Sequence, residues 1–375
     1  MSTRLTVAQL LPQMDVGGVE RGTIQIAEAL VAAGHRALVV SAGGGRLLPE
    51  LAACGAEHVP LAIGEKHVKT LSLIGPLRQV LREARVDVVH ARSRLPAWIG
   101  WRALRGLPAH ERPAWLTTVH GPYRVNRYSR IMVSGERVIA ISDFIRDYVL
   151  SNYPTVDPSA LRVIPRGVDR ASHAYDFEPD AGWRARWQAE HGQLHGRALL
   201  ILPARLTRWK GQLDFIEVVA TLRRQGRAVH GLIAGAAHPR KQAFEAELRA
   251  RVAALGLEHD ISFLGQRGDL RELLAVSDIA CSLTTEPEAF GRTTIEALSV
   301  GTPVVGYDYG GTGEILRAVY PAGLVPVGNT GAAAARIAAL LDEPVAVPRE
   351  HPYTVEALQQ ATLAVYAELA ARRQR

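Results

Sequence analysis

The 375-residue chain has only two cysteines, Cys54 and Cys281, too few for a disulfide scaffold or a Cys-rich zinc site. That scarcity suits a reducing compartment. Long apolar runs are missing as well. The longest stretch without a charged residue, 318–335, contains Pro321, Pro326, three glycines and Asn329. A membrane-spanning helix needs about 20 mostly apolar residues, so turns and a strand are expected there instead. The N-terminal MSTRLTVAQLLPQMD has too short an apolar segment for a secretory leader, and no small-residue cleavage site follows it. A cytoplasmic location is expected. Several motifs are absent too. Without GxGxxG, Walker A, HExxH, DxD or a Cys/His cluster, a P-loop kinase, a metal-bound diphosphate and an NAD enzyme are all disfavoured.

What is present describes an ordinary globular chain. The 47% apolar fraction is far too high for disorder, and at about 150 residues per domain the length predicts two domains. Charge is unevenly spread. Residues 1–172 hold 22 basic and 14 acidic residues, net +8, whereas the remainder is net −1. A basic half faces an anionic substrate, an anionic membrane or nucleic acid.

Short aliphatic segments alternate with helix-like ones along the whole chain. In the first half they are LTVAQLL (5–11), ALVVSA (37–42), HVPLAI (58–63), VDVVHA (86–91), WLTTVHG (115–121) and RVIAIS (137–142). The second half repeats the plan with ALLILPAR (198–205), AVHGLIAG (228–235), ISFLG (261–265), IACSLT (279–284) and TPVVGY (302–307). Continuous β-branched runs with little alternation read as strands of a parallel sheet covered on both faces. The expectation is α/β: two Rossmann-like doubly wound domains, 1–170 and 171–350, facing a central cleft. A polar stretch, 166–182, is expected to link them. A last segment, 351–375, is expected to form a helix packing back on the first domain. In such sheets ligands sit beyond the carboxyl ends of the strands.

Three of those loops carry candidate chemistry. The first is Asp15-Val16-Gly17-Gly18, where paired glycines at a strand-to-helix turn let N–H groups approach an anion; an ordinary tight turn reads the same way. The second runs from Ala204 to Gly211, with Arg205 and Lys210 above a helix start, suited to a diphosphate but also compatible with a solvated basic loop. The third runs over 286–297. There Glu288 precedes a Phe290-Gly291 turn and Glu296 lies about one turn into the next helix. The N–H groups of Gly291, Arg292 and Thr293 would lie between the two carboxylates, aimed at phosphate. That layout suits a ligand with a sugar, a diphosphate and a ribose.

Together the three loops resemble the family-4 retaining glycosyltransferases of the GT-B fold, and the resemblance runs over essentially the whole chain. It is carried by Glu288-Ala289-Phe290-Gly291, Glu296-Ala297, Gly301-Thr302-Pro303, Gly310-Gly311, Arg205 with Lys210-Gly211, and Gly17-Gly18. The resemblance implies that Glu288 contacts donor-sugar hydroxyls, Glu296 holds the ribose, and Arg205 with Lys210 neutralises the diphosphate. It also implies that Gly17-Gly18 closes over the donor and that His120 lies near the transferred sugar. His120, Arg205, Lys210 and Glu288 are thus the expected catalytic set. Gly17, Gly18, Phe290, Gly291, Arg292, Thr293 and Glu296 join the last three in donor binding. On the acceptor side Arg92, Arg94, Tyr123 and Arg124 are expected, with His90, Arg127 and Arg130 nearby; the run from Tyr123 to Arg130 reads equally as a solvated face. Gly235 and Leu264-Gly265 are expected to border the base, and Asp143 to cap its helix.

The resulting expectation is a metal-independent, retaining hexosyltransferase using a nucleotide diphosphate sugar, UDP favoured, as co-substrate and no further cofactor. The pattern LLPQMDVGGVER resembles bacterial enzymes that build lipopolysaccharide core or other surface glycans. A glycan or glycolipid acceptor, peripheral contact with the anionic inner membrane face and no nucleic-acid partner follow. The rivals are a sugar-nucleotide epimerase of the same fold and a non-catalytic nucleotide-sugar-binding protein.

Overall fold

The computed structural model describes residues 4–15, 17–237 and 242–373. Val16 of the first glycine loop, Lys241 at the head of a predicted helix, and Gln374 and Arg375 lie outside them. The chain divides into two units, one of residues 1–167 with 355–375 and the other of residues 168–354.

The first unit is built on strands β1 (Thr6–Leu10), β2 (Arg36–Ser41), β3 (Glu57–Pro60), β4 (Val88–Ala91), β5 (Ala114–Val119), β6 (Arg137–Ala140) and β7 (Leu161–Val163). They form one parallel sheet in the order β3-β2-β1-β4-β5-β6-β7. The second unit carries β8 (Ala198–Pro203), β9 (Val229–Ala234), β10 (Ile261–Gly265), β11 (Ile279–Ser282), β12 (Val304–Tyr307) and β13 (Leu324–Val325). Their order is β10-β9-β8-β11-β12-β13, again all parallel. Every residue of β4, β5, β6, β9, β11 and β12 is buried, which is why these segments lack polar alternation. Each sheet reverses its strand order once, between β1 and β4 and between β8 and β11. The loops after these strands flank the crevice where doubly wound sheets bind ligands.

The last helix, Val355–Arg373, belongs to the first unit. It buries Leu358, Val365, Tyr366, Leu369 and Ala370 in the core shared with Ile24, Ala27 and Leu30 of the helix Gly18–Ala32. Polar ties add direction. Gln359 donates to the Gln25 carbonyl at 2.8 Å, and Arg137 Nε donates to Glu368 at 2.9 Å. Leu369 is fully buried, so Leu369→Ala is expected to cost the full-length protein about 2–5 kcal/mol in urea unfolding. A loss under about 0.5 kcal/mol, the range of ordinary surface substitutions, would show that this helix is not part of the core.

Three segments differ from expectation. β7 was not anticipated, because three residues are too few to show a pattern. The stretch 166–182 is largely folded onto the second unit. Val168 N–H bonds the Tyr353 carbonyl at 3.0 Å, Tyr175 donates to the Val347 carbonyl at 2.9 Å, and Phe177 lies 3.9 Å beneath the Arg271 guanidinium. Its two aromatic residues find partners that a polar average conceals. The uncharged run 318–335 does contain the turn Pro321–Gly323 and β13, but it also opens the helix Thr330–Asp342, capped by Asn329 accepting from Ala332 N–H at 2.8 Å. No helix among the described residues is long and apolar enough to cross a membrane.

Candidate active site

In the second unit, the loops after β8 and β11 are held in direct contact by glycine. Gly211 sits in the left-handed region at φ 79°, and a Cβ there would overlap the carbonyl oxygen of Leu283. Thr285 N–H bonds the Trp209 carbonyl at 2.9 Å and fastens the same two loops. This approach places Lys210 Nζ in an ion pair with Glu288, both side chains four-fifths buried or more. The ammonium also lies 4.3 Å from the centre of the Trp209 ring. Sequence spacing put Lys210 and Glu288 in separate loops; the structure makes them one unit. A diphosphate arriving here meets an ammonium already neutralised by a carboxylate, and so must share or displace that partner.

The Glu288 loop rests on a second glycine pair. Gly311 N–H bonds the Glu288 carbonyl at 2.7 Å, and a Cβ on Gly310 (φ 51°) would come within 2.6 Å of that same oxygen. Gly291 (φ 64°) begins the helix Arg292–Ser299, and no side chain caps that helix. Its first N–H groups therefore have no intrahelical acceptors, and they follow Glu288 by a few residues in the chain, an arrangement suited to an anion. Glu296 is nearly buried and accepts from Arg292 Nε at 2.7 Å. Arg292 thus steadies Glu296 in this state, and Thr293 stands half-exposed at the second helical position.

Two predicted contacts differ. The Phe290 side chain is buried and packs edge-to-face on Tyr353, ring centres 5.8 Å apart, so it anchors the loop and leaves only its backbone for a ligand. Arg205 is exposed and forms no ion pair among the described residues; only its carbonyl is engaged, by Gln212 at 3.0 Å. It shares a loop with Lys210. Gly235 and Gly265 do adjoin, as a bridge pair, and a Cβ on Gly235 would overlap the Ala204 carbonyl. Sequence reading missed two buried polar residues, Gln212 and Thr284, whose Oε1 and Oγ1 atoms have no partner among the described residues. Such atoms are rare in protein interiors and mark places where a ligand or water belongs. Gln212 directly follows Lys210-Gly211, which was the available signal.

In the first unit the helix Gly18–Ala32 likewise starts without a side-chain cap. Gly17 is extended (φ −179°), so its backbone does not demand glycine; the Glu20 carboxylate occupies the place a side chain would take. Behind the loop stands a polar cluster. Arg92 is buried, contrary to its expected place facing acceptor, because it donates to Gln9 Oε1 at 2.7 Å, and Gln9 in turn donates to the Thr23 carbonyl at 3.0 Å. Burial, with no carboxylate in ion-pair contact among the described residues, pushes Arg92 down to about 10. His90 is also buried, between Tyr366 Oη at 2.7 Å and Thr118 Oγ1 at 2.6 Å, and burial holds it well below the usual imidazole range. Through Tyr366 it supports the final helix.

His120 stands at the end of β5. Its Nδ1 lies 2.7 Å from Arg166 Nη2, its backbone N–H meets Tyr123 Oη at 3.2 Å, and its Nε2 is buried without a partner among the described residues. Burial first, then the charges of Arg166 and Arg92, hold His120 well below its ordinary range. Arg166 was read only as part of a linker; its position just after β7 could have singled it out. Arg94 lies over the rings of Tyr123 at 4.8 Å and Tyr128 at 5.5 Å, while Arg124 and Arg127 are exposed and Arg130 donates to Thr155 Oγ1 at 3.0 Å. The cap of the helix Asp143–Asn152 is Ser142, accepting from Ile145 N–H at 3.1 Å; Asp143 follows it and pairs with Arg146.

Comparison with known proteins bears on the family and the fold. Residues 16–172 match the family Glycosyltransferase Family 4, and residues 184–357 match Glycosyl transferases group 1. A solved glycosyltransferase from Rickettsia africae ESF-5 is 27% identical over 98% of both chains, with a TM-score of 0.85. Anabaena Alr3699/HepE, solved in complex with UDP, is 22% identical, covers 99% of this chain and 98% of its own, and has a TM-score of 0.75. Alpha-maltose-1-phosphate synthase of Mycobacterium tuberculosis is 29% identical over 203 residues, 52% of this chain and 50% of the relative. The chain thus matches about half the length of that curated relative.

Proposed function

Because the chain belongs to the family-4 glycosyltransferases of the GT-B fold, we propose that it transfers a hexose-type sugar from a nucleotide diphosphate sugar to an acceptor hydroxyl with retention at the anomeric carbon. The observation that carries this reading is the Lys210–Glu288 pair, followed directly by the uncapped helix Arg292–Ser299 at a sheet's reversal point. In the proposed reaction the bond between the sugar's anomeric carbon and the diphosphate oxygen breaks. The acceptor oxygen bonds that carbon on the same face, and the acceptor's proton passes to the departing diphosphate. Lys210, the helix N–H groups and Arg205 from its exposed position meet the charge that grows on the leaving group. Glu288 takes donor-sugar hydroxyls and Glu296 the ribose.

UDP is the favoured nucleotide, in keeping with the UDP held by the Anabaena relative of the same fold. A lipopolysaccharide-core or other surface-glycan acceptor suits the net +8 of residues 1–172, as does peripheral contact with an anionic membrane face. No metal is needed in this scheme, because side-chain cations and helix N–H groups take its place.

The experiment is thermal unfolding with UDP, GDP, ADP or NAD in separate wells, followed by product analysis in EDTA with the stabilising nucleotide's sugar donors. A site ligand at 100 times its Kd adds about 2.7 kcal/mol, roughly 5–11 °C for a unit of this size. Stabilisation by one nucleoside diphosphate and an EDTA-resistant glycoside product are expected. Stabilisation by NAD alone, or an epimerised donor without transfer, would exclude the reading.

A further inference from the structure

The contact between Arg166 and His120 has no part in the reaction as proposed, yet it determines where one proton sits. A guanidinium has N–H donors and no acceptor. At 2.7 Å from Arg166 Nη2, His120 Nδ1 must therefore be the acceptor. A neutral imidazole carries one ring proton, so that proton stands on Nε2, the buried atom that meets no partner among the described residues. His120 is thus held as a donor with nothing to donate to.

The surroundings keep the ring uncharged. The groups facing His120 are Arg166, Arg92, His90 and Tyr123. Arg166 and Arg92 converge on Gly22, where a Cβ would collide with Arg166 and lie 3.1 Å from Arg92 Nη2. His90 is bonded at both ring nitrogens and is itself held neutral. A proton added to His120 would place a third cation beside two guanidinium groups, and would break the Arg166 contact by occupying Nδ1.

We propose that Arg166 is a positioning residue that locks His120 as a neutral Nε2–H donor, kept for a substrate oxygen that reaches this buried atom on binding. The identity of that oxygen rests on the glycosyl-transfer reading; the tautomer does not. His120 is consequently unable to accept a proton at Nε2, and the acceptor hydroxyl must lose its proton elsewhere, to the leaving diphosphate. A neutral imidazole donating from one nitrogen while the other is held is a known electrophilic arrangement.

The test uses full-length protein labelled with 15N-histidine, the His120 signals being assigned by His120→Asn. Long-range 1H–15N spectra report which nitrogen carries hydrogen. His120 is expected in the Nε2–H form from about pH 5.5 to 8, below its ordinary pKa of about 6.5 as well as above it. Arg166→Lys, which still offers only donors, should preserve that form and most of kcat. Arg166→Met should release the ring to a tautomer mixture that titrates near the ordinary value, with kcat down roughly 10-fold or more and donor KM within about 3-fold. A merely structural arginine would lower stability without moving the tautomer. An Nδ1–H or charged His120 in the wild type overturns the proposal even if a variant fails to fold, and so does an unchanged tautomer in Arg166→Met. If the tautomers behave as expected but no variant, wild type included, transfers sugar, the lock stands and the glycosyltransferase reading falls.

Discussion

Lys210→Ala is expected to lower kcat by about 10³-fold while the protein still melts cooperatively. Removing one preorganised donor from a developing oxyanion typically costs about 10²–10³. Here the substitution does more than delete a charge. Lys210 is paired with Glu288, and both are largely buried. Without the ammonium, the Glu288 carboxylate stands alone where the diphosphate must accumulate charge, so the local field changes from neutral to repulsive. The effect belongs in kcat, because the leaving group gains charge only as its bond breaks. Stability should fall by about 1–3 kcal/mol, the cost of a half-satisfied polar group. Arg208→Ala is the matched control. Arg208 lies on the same loop, but it is exposed and engaged with Glu247, away from Glu288. Normal turnover by a folded Lys210→Ala protein would remove Lys210 from the mechanism.

Gly211→Ala is expected to destabilise the protein by about 3 kcal/mol or more and to abolish nucleotide binding. Two effects add. A non-glycine residue at φ 79° carries the left-handed penalty of about 1–2 kcal/mol. The new methyl also lands on the Leu283 carbonyl, and overpacking of this kind adds about 1–3 kcal/mol. Relief requires the loops after β8 and β11 to part, which separates Lys210 from Glu288. Gly226 provides the comparison. It has the same φ of 79°, but nothing lies within 4 Å of its would-be Cβ. Gly226→Ala should therefore show the backbone penalty alone and keep nucleotide binding. Urea unfolding of both variants, with thermal shifts by UDP, separates the two effects. Equal losses at the two positions would mean that the loop contact is unimportant.

The strands were legible because a parallel strand buried on both faces has no choice of residue type. ISFLG reads as β10 at the same bounds, and the ends of the others shift by up to three residues. The glycines of the site were legible for a related reason: only glycine fits Gly211 and Gly291, where positive φ coincides with close backbone approach. Side-chain depth was not legible. Arg92, placed after β4, read as a residue facing acceptor, but Gln9 draws it into the interior. Phe290 read as a ligand contact, but Tyr353, far away in sequence, claims its ring. Ser142 rather than Asp143 caps a helix because the first helical turn begins at Asp143, one residue earlier than a cap at that position requires.

Local chemistry alone therefore determined the two doubly wound sheets, the loops that carry the candidate site, and the residue types those loops need. Burial on both faces, glycine's φ range and the donor count of each side chain are properties of single residues or short windows. Partnership was decided only by the tertiary structure. It paired Lys210 with Glu288, returned Val355–Arg373 to the first unit, where Tyr366 meets His90, and brought Arg166 to His120 across 46 positions. Each of these depends on the direction and depth of a side chain, and those are set by what packs against it from elsewhere in the chain.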